Sequence, residues 1–166
     1  MCAKKYNVSR EEQDEFAIKS YKKVMDAQKS GKFDSEIIKV SIPQRKGDPI
    51  ILDKDEEPGR VKFEKLPKLK SPFEKGGTVT AANASSISDG AAALVVMSED
   101  KAKKHGLKPL AKIVAYASHS QEPEWFTTAP IGASKKVLEK AGLKASDIDL
   151  FESNEAFSVQ TLVVMK

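Results

Sequence analysis

The stretch Lys75 to Ser98, KGGTVTAANASSISDGAAALVVMS, constrains the fold more than any other part of the chain. It runs in succession through a turn, an extended segment, a small-residue loop and an apolar run. Gly76 and Gly77 supply the turn, and Thr78-Val79-Thr80 favours extended backbone. Residues Ala81 to Ser86 have side chains too small to shield the main chain, which suits a place where a ligand lies against backbone amides. A plain loop joining two strands satisfies the same composition. Asp89-Gly90 marks a second turn, and Ala91 to Met97 is short and apolar enough to be a strand covered on both faces.

The flanks read as α/β. Ser9-Arg10-Glu11-Glu12 is a capping box, so the spacing predicts a helix from there to about Ser30, stopped at Gly31. Phe16, Ala17, Tyr21, Val24 and Gln28 fall near one side of it. The β-prone Ile37–Ile42 and Ile50–Leu52, separated by Gly47 and Asp48-Pro49, predict a hairpin. Asp53 to Gly59 reads as a surface loop. Arg60 to Lys70 is basic with Phe63, Leu66 and Leu69 interleaved: either an irregular segment pinned by those three, or one whose Arg60, Lys62 and Lys65 face phosphates. Further on, Ser98 caps a short helix ending at Gly106, and Leu110–Ala117 reads as a strand. A loop carries Trp125 and Phe126, a helix over Ala133–Ala141 ends at Gly142, and Ile148–Phe151 reads as a strand. Glu155 to Lys166 predicts a helix that is apolar nearly all round and belongs inside a protein. A chain that ends in such a helix is expected to be a fragment.

Charge and composition exclude several classes. Lys+Arg 28 against Asp+Glu 24 gives +4, with both signs interspersed, which fits a mixed surface and a local anion site better than a nucleic-acid stripe. No stretch is long and apolar enough for a membrane span, and no targeting peptide is visible. One cysteine rules out an internal disulfide framework, and with two histidines a Cys/His metal cluster is not expected. His105 and His119 read as surface residues, and Cys2 as part of a mobile terminus.

Three segments in order, GTVTAANASSISDGAAALVVMS from Gly77, API-x-AS from Ala129 and NEAF from Asn154, resemble the thiolase family, and within it the acetyl-CoA acetyltransferases. Arg60 together with PKLK at Pro67–Lys70 is most similar to the mitochondrial, ketone-body type. Ala84 stands where fatty-acid-degrading 3-ketoacyl-CoA thiolases usually carry another residue. Thr127 departs from the mitochondrial pattern, which usually has proline after the aromatic at Phe126.

The resemblance implies a thiolase-type α/β fold. Residues 1–85 would be a CoA-binding loop domain, 86–107 the last strand and helix of the N-terminal half, and 108–166 the start of the C-terminal half. It implies a reversible condensation of two acetyl-CoA to acetoacetyl-CoA and CoA, in which one cysteine takes the acyl group, a second moves the α-proton and oxyanion holes stabilise the intermediates. Asn154 is similar to the asparagine that orients an oxyanion-hole water, mounted at a strand-to-helix corner. Phe157 is similar to an aromatic near that site and Phe126 to an acyl-pocket residue. Tyr21, Arg60, Val61, Lys62, Lys65 and Ser85 are similar to CoA-contacting positions, and Tyr21, Ala81, Ala82 and Ala84 to the potassium-binding positions of the mitochondrial type. No tightly bound cofactor is implied; coenzyme A is substrate and product.

In the family both catalytic cysteines and the histidine of the GHP motif fall outside this stretch, and Cys2 matches neither cysteine. The chain alone is therefore expected to be inactive. The whole enzyme is expected to act on acyl-CoA as a homo-oligomer, without nucleic acid or membrane, in mitochondria or alternatively the cytoplasm. A non-catalytic CoA-binding module and a basic nucleic-acid-associated domain are the readings from other classes.

Overall fold

The computed structural model describes all of residues 1–166. The chain divides into two compact units, one of Ala3–Ser85 with Glu155–Lys166 and one of Met1–Cys2 with Ser86–Asn154. They are called the first and second unit below.

A short helix α1 (Cys2–Tyr6) precedes α2 (Arg10–Lys29), the longest element. Helix α2 begins where the cap requires. The Glu12 amide donates to Ser9 Oγ at 3.0 Å and the Ser9 amide to Glu12 Oε2 at 2.6 Å, satisfying two of the amide groups that a helix start leaves over. The Ser9 amide holds the Glu12 carboxyl below the usual glutamate range, outweighing an opposing desolvation, with the positive charge of Lys166 adding a lesser pull in the same direction. The helix ends at Ser30, and Gly31 turns away at φ +70.

The hairpin forms as expected but is shorter, with β1 (Val40–Ile42) antiparallel to β2 (Ile50–Leu52) and Val40 opposite Leu52 and Ile42 opposite Ile50. The expected loop at 53–59 instead closes into the helical turn α3 (Glu57–Arg60), because Pro58 is tolerated in a first turn, where its missing amide proton costs nothing; its ring is buried. A 3-10 turn over Phe63–Lys68 follows, pinned by Leu66, which is 2% exposed. At the other end of the sequence α6 (Ser158–Met165) packs on α2 and buries Val159 and Val163.

In the second unit Ser98 caps α4 (Glu99–Lys104), accepting from the Lys101 amide at 3.3 Å, and Gly106 follows it at φ +64. The stretch at 122–128, read as a loop, forms a 3-10 turn over Pro123–Thr128, braced by Gln121, whose amide donates to the Trp125 carbonyl and to Thr128 Oγ1. Helix α5 (Ala129–Ala141) starts four residues before the expected Ala133, since Pro130 again fits a first turn. It ends on Gly142 in the left-handed region, as expected.

Three expected strands are absent. Residues 91–97, 110–117 and 148–151 take part in no sheet, the pair β1–β2 being the single sheet of the chain. Their apolar side chains face solvent, with Leu94 at 88%, Leu110 at 104% and Leu150 at 87% exposure. A strand is a two-body structure: its ladder needs a partner and its apolar faces need cover, and the apolar pattern specifies neither. No helix is long and apolar enough to cross a membrane.

His119 is not the surface residue expected. Its Nδ1 is buried without a hydrogen-bond partner, and its ring lies where a side chain at Gly132 would be, with a built Cβ meeting Cγ and Cδ2 at 2.5 Å. Gly132→Ala is therefore expected to lower stability in urea by about 1 kcal/mol, overpacking outweighing the gain in helix propensity. With His119→Ala already in place the same substitution should stabilise. Urea midpoints of the four proteins check the change of sign.

Candidate functional site

The small-residue loop earns its place by how it is tied down. In the first unit Asn83 is 3% exposed and uses its whole amide. Its Nδ2 donates to Asp14 Oδ1 at 2.9 Å and to the Thr78 carbonyl at 3.0 Å, while its Oδ1 accepts from the Thr80 amide at 2.8 Å. Asp14, 6% exposed on α2, accepts at its other oxygen from Arg10 Nε at 2.8 Å. The Arg10 Nη2 group then donates to the carbonyls of Leu66 at 2.8 Å and Leu69 at 3.1 Å. One chain of charge-assisted bonds thus runs from the small-residue loop through α2 to the basic segment. Neither Asp14 nor Asn83 was singled out from sequence, and a mid-helix acid carries no local signal of burial.

From Asn83 the loop pairs with the segment just before α6. Ala84 and Phe157 face each other in an isolated antiparallel bridge, framed by Ser85 amide to Ala156 carbonyl and Ser158 amide to Asn83 carbonyl, both 2.9 Å. Ser85 Oγ donates to the Glu155 carbonyl at 2.5 Å, and Ser20 Oγ on α2 to Glu155 Oε2 at 2.6 Å. Ser85 and Phe157, two of the expected site residues, therefore stand on adjoining strands of backbone.

Tyr21, half-buried on α2, meets the Phe63 ring edge-on at 6.5 Å, and Lys22 Nζ lies 6.0 Å from the same ring. Burial, reinforced by the negative charge of Glu57, pushes the Tyr21 phenol above its ordinary value, so it stays protonated at neutral pH. Arg60 ends α3 and pairs with Glu56 at 3.0 Å; Val61 is half-buried, and Lys62 and Lys65 are exposed on either side of Phe63. The reading in which Phe63, Leu66 and Leu69 pin this segment holds together with exposed cations.

Ala81, Ala82 and Ala84 lie in the same turn and bridge, and the bridge's two hydrogen bonds leave the Ala84 carbonyl outside them. Neutral carbonyl oxygens and a protonated phenol are donors suited to a hard cation of low charge. No group of three or more His, Cys, Asp or Glu side chains is placed to hold a metal ion.

Phe126 and Asn154 belong to the second unit. Phe126 is 59% exposed in the 3-10 turn ahead of α5. Asn154 is exposed and does not follow a strand, because residues 148–151 are unpaired; the expected strand-to-helix corner is a loop-to-helix junction. The residues after it are held: the Glu155 and Ala156 carbonyls accept from Ser85. Cys2 is not on a mobile terminus: it lies in α1 and is 8% exposed.

Residues 1–100 match the thiolase N-terminal domain and residues 107–166 the thiolase C-terminal domain. A "Probable acetyl-CoA acyltransferase" of Staphylococcus aureus strain COL is 53% identical over 163 residues, which are 98% of this chain and 42% of that protein. The crystal structure of the Bacillus anthracis acetyl-CoA acetyltransferase superposes with a TM-score of 0.89 at 44% identity, covering 98% of this chain and 41% of that one. The Ascaris suum Acat5 thiolase, solved in complex with coenzyme A, gives the same TM-score, identity and coverage. The chain spans about 42% of the length of the first of these relatives. With N- and C-terminal thiolase domains matched in order and thiolase backbones superposing on nearly every residue, the chain belongs to the thiolase family and holds a partial thiolase fold.

Proposed function

We propose that the chain supplies the CoA-binding and oxyanion-asparagine part of a thiolase that interconverts two acetyl-CoA with acetoacetyl-CoA and CoA. The observation that carries this reading is the pairing of Ala84–Ser85 with Glu155–Phe157, which joins a small-residue loop open to a ligand with the segment directly after Asn154. In this reading Asn154 orients a water toward the thioester oxygen. Lys62, Lys65 and Arg60 face the phosphates of CoA, Val61, Ser85, Phe157 and Tyr21 line its path, and Phe126 borders the acyl group. Arg60 exchanges Glu56 for phosphate on binding, at little cost because that pair is exposed. The carbonyls of Ala81, Ala82 and Ala84 with Tyr21 form the potassium site of the same proposal. The complete enzyme is proposed to be a homo-oligomer acting in mitochondria or the cytoplasm.

Calorimetric titration of CoA into this chain tests the reading. Neutralising Arg60, Lys62 or Lys65 is expected to weaken binding about 2- to 10-fold each, with the loss fading as salt rises. Replacing sodium by potassium should tighten it. Unchanged affinity at low salt returns the three cations to a solvated surface, and equal affinity in the two salts removes the cation site.

The acyltransferase name of the Staphylococcus aureus relative favours a second reading, a 3-ketoacyl-CoA thiolase of fatty-acid degradation. A preference of the complete enzyme for long 3-ketoacyl chains over acetoacetyl-CoA selects it.

A further inference from the structure

We propose that Asp14 is a positioning residue of the acyl-CoA site, acting through Asn83 on the backbone that bears Ser85 and the segment after Asn154. The proposal deepens the CoA reading and rests on it for its binding arm. Three observations support it. Asp14 is a carboxylate on the second turn of a helix, yet it is buried, and both of its oxygens are used inward, on Arg10 and Asn83. An acid placed merely to favour a helix start would face water, as Glu11 does. Asn83 in turn has no remaining freedom: its amide holds Thr78 and Thr80, and its own carbonyl receives the Ser158 amide at 2.9 Å. The same carboxylate orients Arg10, whose guanidinium fixes the carbonyls of Leu66 and Leu69 beside Lys65. One buried charge therefore sets the register of two segments that are proposed to touch the ligand, while touching none itself.

If Asp14 is removed, the Asn83 amide loses one acceptor and can rotate. Rotation releases the Thr80 amide and loosens the turn that presents Ala84 and Ser85, without altering any residue proposed to contact CoA. A merely structural role would show instead as lower global stability with the ligand affinity preserved wherever the protein remains folded.

The test uses this chain with Asp14→Ala, Asn83→Ala and the double variant, measured well below their melting temperatures. Amide hydrogen exchange is followed at Ser85 and Ser158, and CoA affinity by calorimetry. Asp14→Ala is expected to speed exchange at both amides and to weaken CoA binding about tenfold, the factor carried by one charge-assisted hydrogen bond. The double variant should lose less than the product of the two single losses, since the Asp14–Asn83 bond is broken only once while the Arg10 contact is lost with Asp14 alone. Should Asp14→Ala fail to fold, Asp14→Asn keeps the volume and one acceptor for Asn83, and is expected to retain protection at Ser158. Wild-type exchange and affinity in folded Asp14→Ala, losses that multiply in the double variant, or lost protection at Ser158 in Asp14→Asn would each overturn the proposal. If the wild-type chain binds no CoA, the CoA reading fails while the exchange arm still decides whether Asp14 holds the loop.

Discussion

Leu66→Ala is expected to destabilise the first unit by about 2–5 kcal/mol, the range for deleting a buried leucine side chain and leaving part of its volume empty. Leu66 is 2% exposed and is the largest buried apolar side chain of that unit, whose other buried apolar residues are Val8, Ala17, Pro58, Val159 and Val163. So thin a core has few neighbours able to move in, which puts the cost toward the upper end. The backbone of residue 66 is engaged as well, its carbonyl accepting from Arg10 and from the Leu69 amide, so the 3-10 turn cannot slide to fill the space. Urea denaturation followed by helix content measures the loss, with the half-buried Leu69→Ala as a milder comparison. A loss under about 1 kcal/mol for Leu66→Ala would mean that the turn collapses freely and does not pin the basic segment.

The second large effect is an absence of turnover. Incubated with acetoacetyl-CoA and CoA, the purified chain is expected to consume enolate absorbance at the rate of buffer alone. Acyl transfer by a cysteine needs a thiolate within reach of the thioester carbonyl. The sequence holds one cysteine, and Cys2 is packed into α1 at 8% exposure. The same burial predicts that Cys2 reacts with a disulfide reagent at least about tenfold more slowly in the native protein than in urea, since attack waits on local opening. Thiolysis above the blank that survives Cys2→Ser would assign the chemistry to a residue not considered above. Thiolysis lost in Cys2→Ser would make Cys2 a nucleophile despite its burial.

Local chemistry was legible in the sequence wherever both partners of an interaction lie within a turn of each other. The Ser9–Glu12 box, the Ser98 cap and the stops at Gly31, Gly106 and Gly142 all fall where expected, because capping and left-handed turns are settled by three or four neighbouring residues. The hairpin follows the same logic at slightly longer range. Pro58 lay in an expected surface loop and Pro130 just ahead of an expected helix, when each occupies a first helical turn, a position where proline is favoured. The apolar runs at 91–97 and 110–117 mark a wish for cover, but pairing is decided by a second segment that no local pattern names. The Asp14–Asn83 bond was out of reach for the same reason, since it joins residues 69 apart and each resembles an ordinary surface residue in its own context. Site residues carried by resemblance, such as Ser85 and Phe157, come together on one bridge, which no spacing rule could have shown.

The bridge between Ala84 and Phe157 also sets a clock on synthesis. At roughly 5–20 residues per second, the 73 residues from 84 to 157 take on the order of 4–15 s to emerge. For that interval α2 exists without α6, and the amide-to-carbonyl bonds that close the loop have no second strand. The nascent first unit must wait with the side of α2 that α6 packs on uncovered, a window in which a chaperone that grips short apolar segments would find it accessible. Proteins of this kind are therefore expected to lose soluble yield when translation is slowed between residues 84 and 165, which lengthens that window, more than when an earlier stretch is slowed.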